Sequence, residues 1–123
     1  VAMAKEKLTP DKIMTVEAFE NALRVLFAVG GSTNAIVHLT AMAGRLGIKL
    51  DLEAFDKMGR ETPVLVDLKP TGQGYMEDLY KAGGLATILR EIKHQMNLKA
   101  LTVTGRTLGE ELAEATPAWD QQV

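Results

Sequence analysis

A short polar turn carries the residues of this sequence that are best suited to bind a ligand. Gly30 and Gly31 lead into Ser32, Thr33 and Asn34, and an apolar segment follows directly. Free backbone N–H groups at a helix start, together with the positive end of the helix dipole, favour an anion. Glycines admit close approach, and the hydroxyl groups add hydrogen-bond donors. Gly31, Ser32, Thr33 and Asn34 are therefore candidates for lying near a substrate, and a plain turn between two packed helices is the alternative.

The turn matches neither of two familiar phosphate-binding motifs. No lysine follows where a P-loop requires one, and the G-x-G-x-x-G spacing is absent. His38 lies one helical turn after Asn34, so the two side chains share a face of the predicted helix. A lone histidine on an apolar helix is more often structural than functional, and His38 would carry a proton only if it faced a pocket.

A second polar stretch, Asp67–Gly74, follows a short apolar run that predicts a strand. In α/β sheets ligands bind beyond the carboxyl ends of the strands. Asp67 and Lys69 are therefore candidates for an ion pair or for contact with a substrate. An ordinary turn with solvated charges is the alternative.

The composition limits the chemistry further. The 123 residues include no cysteine, which excludes disulfides and thiolate ligands within the chain, and the only two histidines are not paired at metal-ligand spacing. A net charge of -2 suggests neither nucleic acid nor an anionic membrane as a partner. No apolar run reaches the roughly 18 residues that a membrane span requires.

The elements that must position these residues follow from the spacing of apolar side chains. Helical spacing predicts helices at 16–29, 34–46, 52–58, 75–82, 85–96 and 108–115, with Thr15, Asp51 and the Thr107–Glu110 capping box at helix starts. The β-branched apolar runs at 63–68 and 100–104 predict buried strands. This alternation indicates an α/β fold with helices packed on a small, mostly parallel sheet. The helix at 34–46 has no wide polar face, so it is predicted to be buried on most sides.

Three blocks of the sequence resemble a known enzyme family. They are "AFENALRVLFAVGGSTNAIVHLTAMAGRLGI", "PVLVDLKPTGQGYMEDLYKAGGL" and "LTVTGRTLGEEL". In order and approximate spacing they are similar to the dihydroxy-acid dehydratase / 6-phosphogluconate dehydratase family. Within the family they look closest to the dihydroxy-acid dehydratases, and sugar-acid dehydratases of the arabinonate, xylonate or 6-phosphogluconate type are the alternative.

The resemblance implies a hydro-lyase that converts a 2,3-dihydroxy acid into a 2-keto acid, in branched-chain amino-acid biosynthesis for the first alternative. It also implies an iron–sulfur cluster, Mg²⁺, a cytoplasmic location and a homodimer or homotetramer. The family's cluster, metal and base motifs are absent here, so no catalytic or metal-binding residue is expected within this chain. The chain alone is then expected to be inactive.

The ends of the sequence, together with this resemblance, predict an internal segment of a longer enzyme. Residues 1–14 are predicted to form a connecting segment and residues 15–115 to be part of the N-terminal α/β domain. Residues 116–123 are predicted to begin a linker to a C-terminal domain. A non-catalytic dimerisation module, using the apolar helix at 34–46, is the alternative from another functional class. A small self-sufficient anion-binding domain built on residues 30–34 is a third hypothesis.

Overall fold

Helices dominate the computed structural model, which describes residues 1–114. They are α1 (Ala2–Lys5), α2 (Pro10–Ile13), α3 (Val16–Ala28), α4 (Asn34–Arg45), α5 (Leu52–Glu61), α6 (Met76–Lys81), α7 (Gly84–Glu91) and α8 (Leu108–Glu114), with a 3₁₀ turn at Lys93–Gln95. The predicted linker at 116–123 lies outside the described residues, as does Ala115 at the predicted end of the last helix. Within residues 1–14 lie the two single-turn helices α1 and α2.

Local capping signals fix where several helices begin. The Thr15 hydroxyl accepts a hydrogen bond from the backbone N–H of Ala18 at 3.3 Å, and Asp51 Oδ1 accepts one from Glu53 N at 3.1 Å. Thr107 and Glu110 form the predicted capping box, with each side chain bonded to the backbone N–H of the other residue. Such bonds satisfy N–H groups that have no partner inside the helix.

The hydrophobic core gathers around the C-terminal end of α3. Its buried members come from α3, α6, α7 and the segments that flank them: Ala28, Leu68, Leu79, Ile88, Ile92 and Met96. Helix α3 contacts α4, α5 and α7. It is therefore the element against which the polar turn at 30–34 is positioned.

The predicted α/β fold is wrong for the residues that the structure describes. Neither 63–68 nor 100–104 forms a strand, so the helices have no parallel sheet to pack on. Two isolated bridges remain, a parallel one between Leu68 and Gly74 and an antiparallel one between Leu101 and Thr107. Each bridge joins two positions of a single short loop, six residues apart in the sequence. The β-branched runs favour extended backbone, but a strand also needs an adjacent strand to bond with. The N–H of Leu65 bonds instead to Ala28 O, at the end of α3, at 2.8 Å.

Two further predictions from the sequence differ from the structure. Helix α5 continues beyond the predicted end at Met58, through Gly59 to Glu61. A Cβ on Gly59 would lie 3.4–3.5 Å from the Phe27 ring of α3, which is ordinary van der Waals contact, so neither a helix end nor the packing requires a glycine at this position. Helix α4 has the predicted position, but Ala43 is its only buried residue. Ala35, Ile36 and Leu39 are half-buried, whereas Val37, Ala41 and Met42 lie exposed.

Candidate functional site

The turn between α3 and α4 has a backbone conformation that favours glycine at its first position. Gly30 has φ +61°, in the left-handed region that favours glycine. The N–H of Gly31 bonds to Leu26 O at 2.9 Å, and a Cβ on Gly31 would collide with the Leu26 side chain. The turn thus closes tightly on the end of α3, and Ser32 follows with an exposed side chain.

The first N–H groups of α4 already have partners within the turn. The N–H of Asn34 bonds to Ser32 Oγ at 3.2 Å, and that of Ala35 bonds to Ser32 O at 3.0 Å. The N–H of Ile36 bonds to Thr33 O at 3.0 Å. These backbone groups are therefore not free for a ligand. What the turn offers is a row of exposed side chains, those of Ser32, Thr33 and Asn34.

The hydroxyl of Thr33 differs from that of Ser32. Thr33 occupies the N-cap position of α4, but its side chain makes no capping hydrogen bond, and its backbone is helical rather than extended. Its hydroxyl is thus exposed without a role in capping the helix. The Thr33 hydroxyl can therefore be removed with little expected effect on the turn, unlike Ser32 Oγ, which accepts from Asn34 N.

A second loop packs against this turn from a distant part of the sequence. Thr71 Oγ1 lies 3.2 Å from Gly30 O and 3.4 Å from Leu68 O, and its single hydroxyl hydrogen is shared between these two carbonyl acceptors. The contact spans 41 residues. It brings the two polar stretches of the sequence, 30–34 and 67–74, onto neighbouring surface.

The loop at 67–74 is closed by its own hydrogen bonds. The N–H of Gly72 bonds to Leu68 O at 2.7 Å, and that of Gly74 bonds to Asp67 O at 2.8 Å. Asp67 Oδ1 accepts a further bond from Gln73 N at 3.2 Å. A Cβ on Gly72 would lie 2.6 Å from the backbone carbon of Asp67, so the loop leaves no room for a side chain there. Asp67 thus serves to shape the loop.

Lys69 bonds to Tyr75 rather than to Asp67. Its Nζ donates to the Tyr75 hydroxyl at 2.7 Å and lies 4.1 Å from the centre of the ring. Both residues are exposed, and Tyr75 keeps 61% of its surface accessible. The predicted ion pair between Asp67 and Lys69 does not form. Lys69 instead presents its positive charge beside an aromatic ring.

The polar groups on this surface are suited to recognising a ligand. Hydroxyl, amide and ammonium groups can hold a carboxylate or a polyol by hydrogen bonds. His38 is exposed on α4. Across residues 1–114, no three side chains of His, Asp or Glu come together in a group that could hold a metal ion. Over the same residues, no helix is long and apolar enough to cross a membrane.

Sequence reasoning finds the turn and the loop but misses two of their contacts, one that joins the loop to the turn and one within the loop. Thr71 bonds to Gly30, and Tyr75 bonds to Lys69. The only signal for the second pair is that an aromatic residue follows a lysine within six positions in a glycine-rich loop. The first pair has no local signal, because its two residues are 41 positions apart.

Comparison with known proteins gives consistent matches along the chain. The family model described as "Dihydroxy-acid/6-phosphogluconate dehydratase N-terminal" matches residues 1–111. An L-arabonate dehydratase of Azospirillum brasilense is 48% identical over 126 aligned residues, which cover 100% of this chain and 21% of the relative. A dihydroxy-acid dehydratase of Methanothrix thermoacetophila is 48% identical over 95% of this chain and 21% of its own length. An L-arabinonate dehydratase of Rhizobium leguminosarum bv. trifolii is 44% identical over 100% of this chain and 21% of its own length. The chain thus spans about a fifth of the length of these relatives.

Proposed function

Because this chain belongs to the dihydroxy-acid/6-phosphogluconate dehydratase family, we propose that it is part of a hydro-lyase that dehydrates a 2,3-dihydroxy acid. In that reaction the C2 proton and the C3 hydroxyl leave as water, and the resulting enol becomes a 2-keto acid. The observation that carries the proposal is the match to the family over residues 1–111, supported by dehydratases at 44–48% identity along the chain.

For the substrate, we propose a dihydroxy acid of branched-chain amino-acid biosynthesis. A dihydroxy-acid dehydratase at 48% identity supports this choice. A sugar acid is the second candidate, because an L-arabonate dehydratase also matches at 48% identity and over all of the chain. The 6-phosphogluconate and xylonate types belong to the same second candidate.

The reaction requires a Lewis acid for the departing hydroxyl, since hydroxide is a poor leaving group. Residues 1–114 do not fit an iron–sulfur cluster or a magnesium ion: the chain has no cysteine, and these residues bring no suitable set of carboxylates and imidazoles together. We propose that both cofactors are held by parts of the whole protein outside these 123 residues.

For this segment we propose a role in contacting the substrate through Gly31, Ser32, Thr33 and Asn34. Three of these residues expose their side chains on a turn that the contact with Thr71 holds in place. The ammonium group of Lys69, on the adjoining loop, is suited to a carboxylate substrate. A purely structural turn between α3 and α4 is the competing explanation, and it accounts for the glycines equally well.

The remaining properties of the whole enzyme rest on the family resemblance. We propose a cytoplasmic enzyme that assembles as a homodimer or homotetramer, and we propose that residues 15–115 belong to its N-terminal domain. The match of an N-terminal family model to residues 1–111 supports this last assignment.

The function is tested with the full-length protein that contains this segment, loaded with its cofactors. Dihydroxyisovalerate and arabinonate are supplied in parallel, and the 2-keto acid product is quantified by mass spectrometry. Product from either acid identifies the substrate class. If neither acid reacts, xylonate and 6-phosphogluconate are supplied next, and product from none of the four acids contradicts the proposed activity. The 123-residue chain alone serves as the control and is expected to form no product.

A further inference from the structure

Helix α4 carries apolar side chains that the described part of the chain leaves uncovered. Val37 is 66% exposed and Met42 is 46% exposed, although both lie within a regular twelve-residue helix. Apart from the helix's own backbone and the residues next to it, no atom lies within 4 Å of the place where a Cβ on Gly44 would be. The helix is therefore anchored on one side only, where Ala43 is buried.

The exposed apolar residues lie on two flanks of α4. At about 100° per residue, Val37 lies on one side, with Ala41 beside it, and Met42 lies on the other. A narrow polar strip of Asn34, His38 and Arg45 runs between the two sides. A helix at the surface of a globular protein normally turns a wide polar face outward. Two apolar flanks on either side of a narrow strip indicate burial against further polypeptide.

We propose that both flanks of α4 pack against polypeptide of the same longer protein that lies outside these 123 residues. The inference rests on the proposed function, because it requires the complete dehydratase. The chain makes up 21% of the relatives with which it aligns, and two of those alignments run through 100% of the chain, α4 included. The remaining four fifths of such a protein supply ample apolar surface to cover one helix.

A second copy of the chain fits the two flanks less well. A two-fold interface joins one patch of a subunit to the same patch of its partner. The flanks that carry Val37 and Met42 are separated by polar side chains, so a single such interface would cover one flank and leave the other exposed. Covering both requires segments on two sides, which a surrounding protein provides.

Photo-cross-linking in the full-length protein tests the inference. A benzophenone amino acid replaces Val37 in one variant and Met42 in another, and His38 on the polar strip carries it in the control. We expect both flank variants to cross-link to peptides of the same chain from outside residues 1–123, with a yield at least fivefold above that of the His38 control. The cross-linked peptides are identified by mass spectrometry.

Other outcomes overturn the inference. Cross-linked dimers show that a second copy covers the helix, and yields no higher than in the control show that the flanks face solvent. If the variants fail to fold, oxidation of Met42 by peroxide in the unmodified protein decides. If Met42 in the folded protein is oxidised as fast as in urea-unfolded protein, the inference is overturned. If Met42 remains protected after the protein is diluted a hundredfold, which would dissociate a second copy, the inference is supported. Neither readout uses the dehydratase assay, so failure of the proposed function and failure of this inference are distinguishable.

Discussion

The side-chain amide of Asn21 holds both backbone groups of Asn97, 76 residues further along the chain. Asn21 Oδ1 accepts from Asn97 N at 2.7 Å, and Asn21 Nδ2 donates to Asn97 O at 3.1 Å. Asn21 is 8% exposed, so these bonds are largely shielded from water. The pair fixes α3 against the segment that follows the 3₁₀ turn and thereby orients the helix that ends at the candidate site.

Replacing Asn21 with alanine is expected to lower the free energy of unfolding by about 1–3 kcal/mol. The change removes two partly buried hydrogen bonds and leaves the N–H of the half-buried Asn97 without its partner, whereas Asn97 O keeps its bond from Ala100 N. Urea denaturation followed by circular dichroism measures the effect. Gln73→Ala is the control, since it removes an exposed amide side chain and is expected to change stability by less than about 0.5 kcal/mol. Equal effects of the two substitutions would contradict the structural role of Asn21.

The two glycines Gly72 and Gly44 are expected to respond in opposite directions to alanine. A Cβ on Gly72 would lie 2.6 Å from the backbone carbon of Asp67 and 2.8 Å from Leu68 N, so Gly72→Ala forces the closed loop apart. We expect a loss of about 1–3 kcal/mol in the 123-residue chain, typical of overpacking. Gly44 lies inside α4 with open space around it, and Gly44→Ala is expected to stabilise the chain by up to about 1 kcal/mol.

Melting temperatures of the two glycine variants, compared with the unaltered chain, provide the measurement. A Gly72→Ala variant as stable as the original would show that the loop rearranges without cost. That result would contradict the conclusion that the loop at 67–74 leaves no room for a side chain at position 72.

The sequence predicted correctly those features that depend on a few neighbouring residues. Thr15, Asp51 and the Thr107–Glu110 pair cap helices through bonds that span two or three positions, so their pattern is visible in the sequence. The apolar run at 63–68 was misjudged, because its residue types favour extended backbone but cannot show whether a neighbouring strand exists.

Long-range contacts account for the remaining differences. The helix predicted at 52–58 stops before Gly59 because glycine often ends helices, but α5 packs against α3 and continues through Gly59 to Glu61. The same limit applies to the candidate site. Its turn at 30–34 was found from residue types, whereas its contact with Thr71 depends on packing between segments 41 residues apart.

Helix α8 is expected to lose stability in acid. The bond from the Thr107 backbone lowers the pKa of Glu110, and the bonds from Arg106 at 2.7 and 2.8 Å lower the pKa of Glu114. Since both pKa values are lower in the folded state, the stabilisation is fully present above the ordinary glutamate pKa of about 4.3 and is lost as pH falls through the lowered values.

Hydrogen exchange of the α8 amides between about pH 5 and pH 2.5, corrected for intrinsic rates, measures this loss. Glu110→Gln together with Glu114→Gln is expected to remove most of the pH dependence, whereas Glu53→Gln on α5 should leave it unchanged. Exchange that is equally pH-dependent in the double variant would show that other carboxylates control the helix.

Thr33 provides the most direct test of contact with the substrate. Thr33→Val removes the hydroxyl but keeps the shape, and because that hydroxyl makes no capping bond, we expect the melting temperature to stay nearly constant. If the hydroxyl bonds to the carboxylate of the substrate, its loss costs about 1.5–3 kcal/mol of binding and raises KM roughly tenfold to a hundredfold, with a smaller effect on kcat. Steady-state kinetics of the full-length enzyme measure the separate effects on KM and kcat. Thr40→Val, on an exposed position of the same helix, is the matched control and should leave KM unchanged. Unaltered KM in the Thr33 variant would favour the explanation that residues 30–34 are only a turn between α3 and α4.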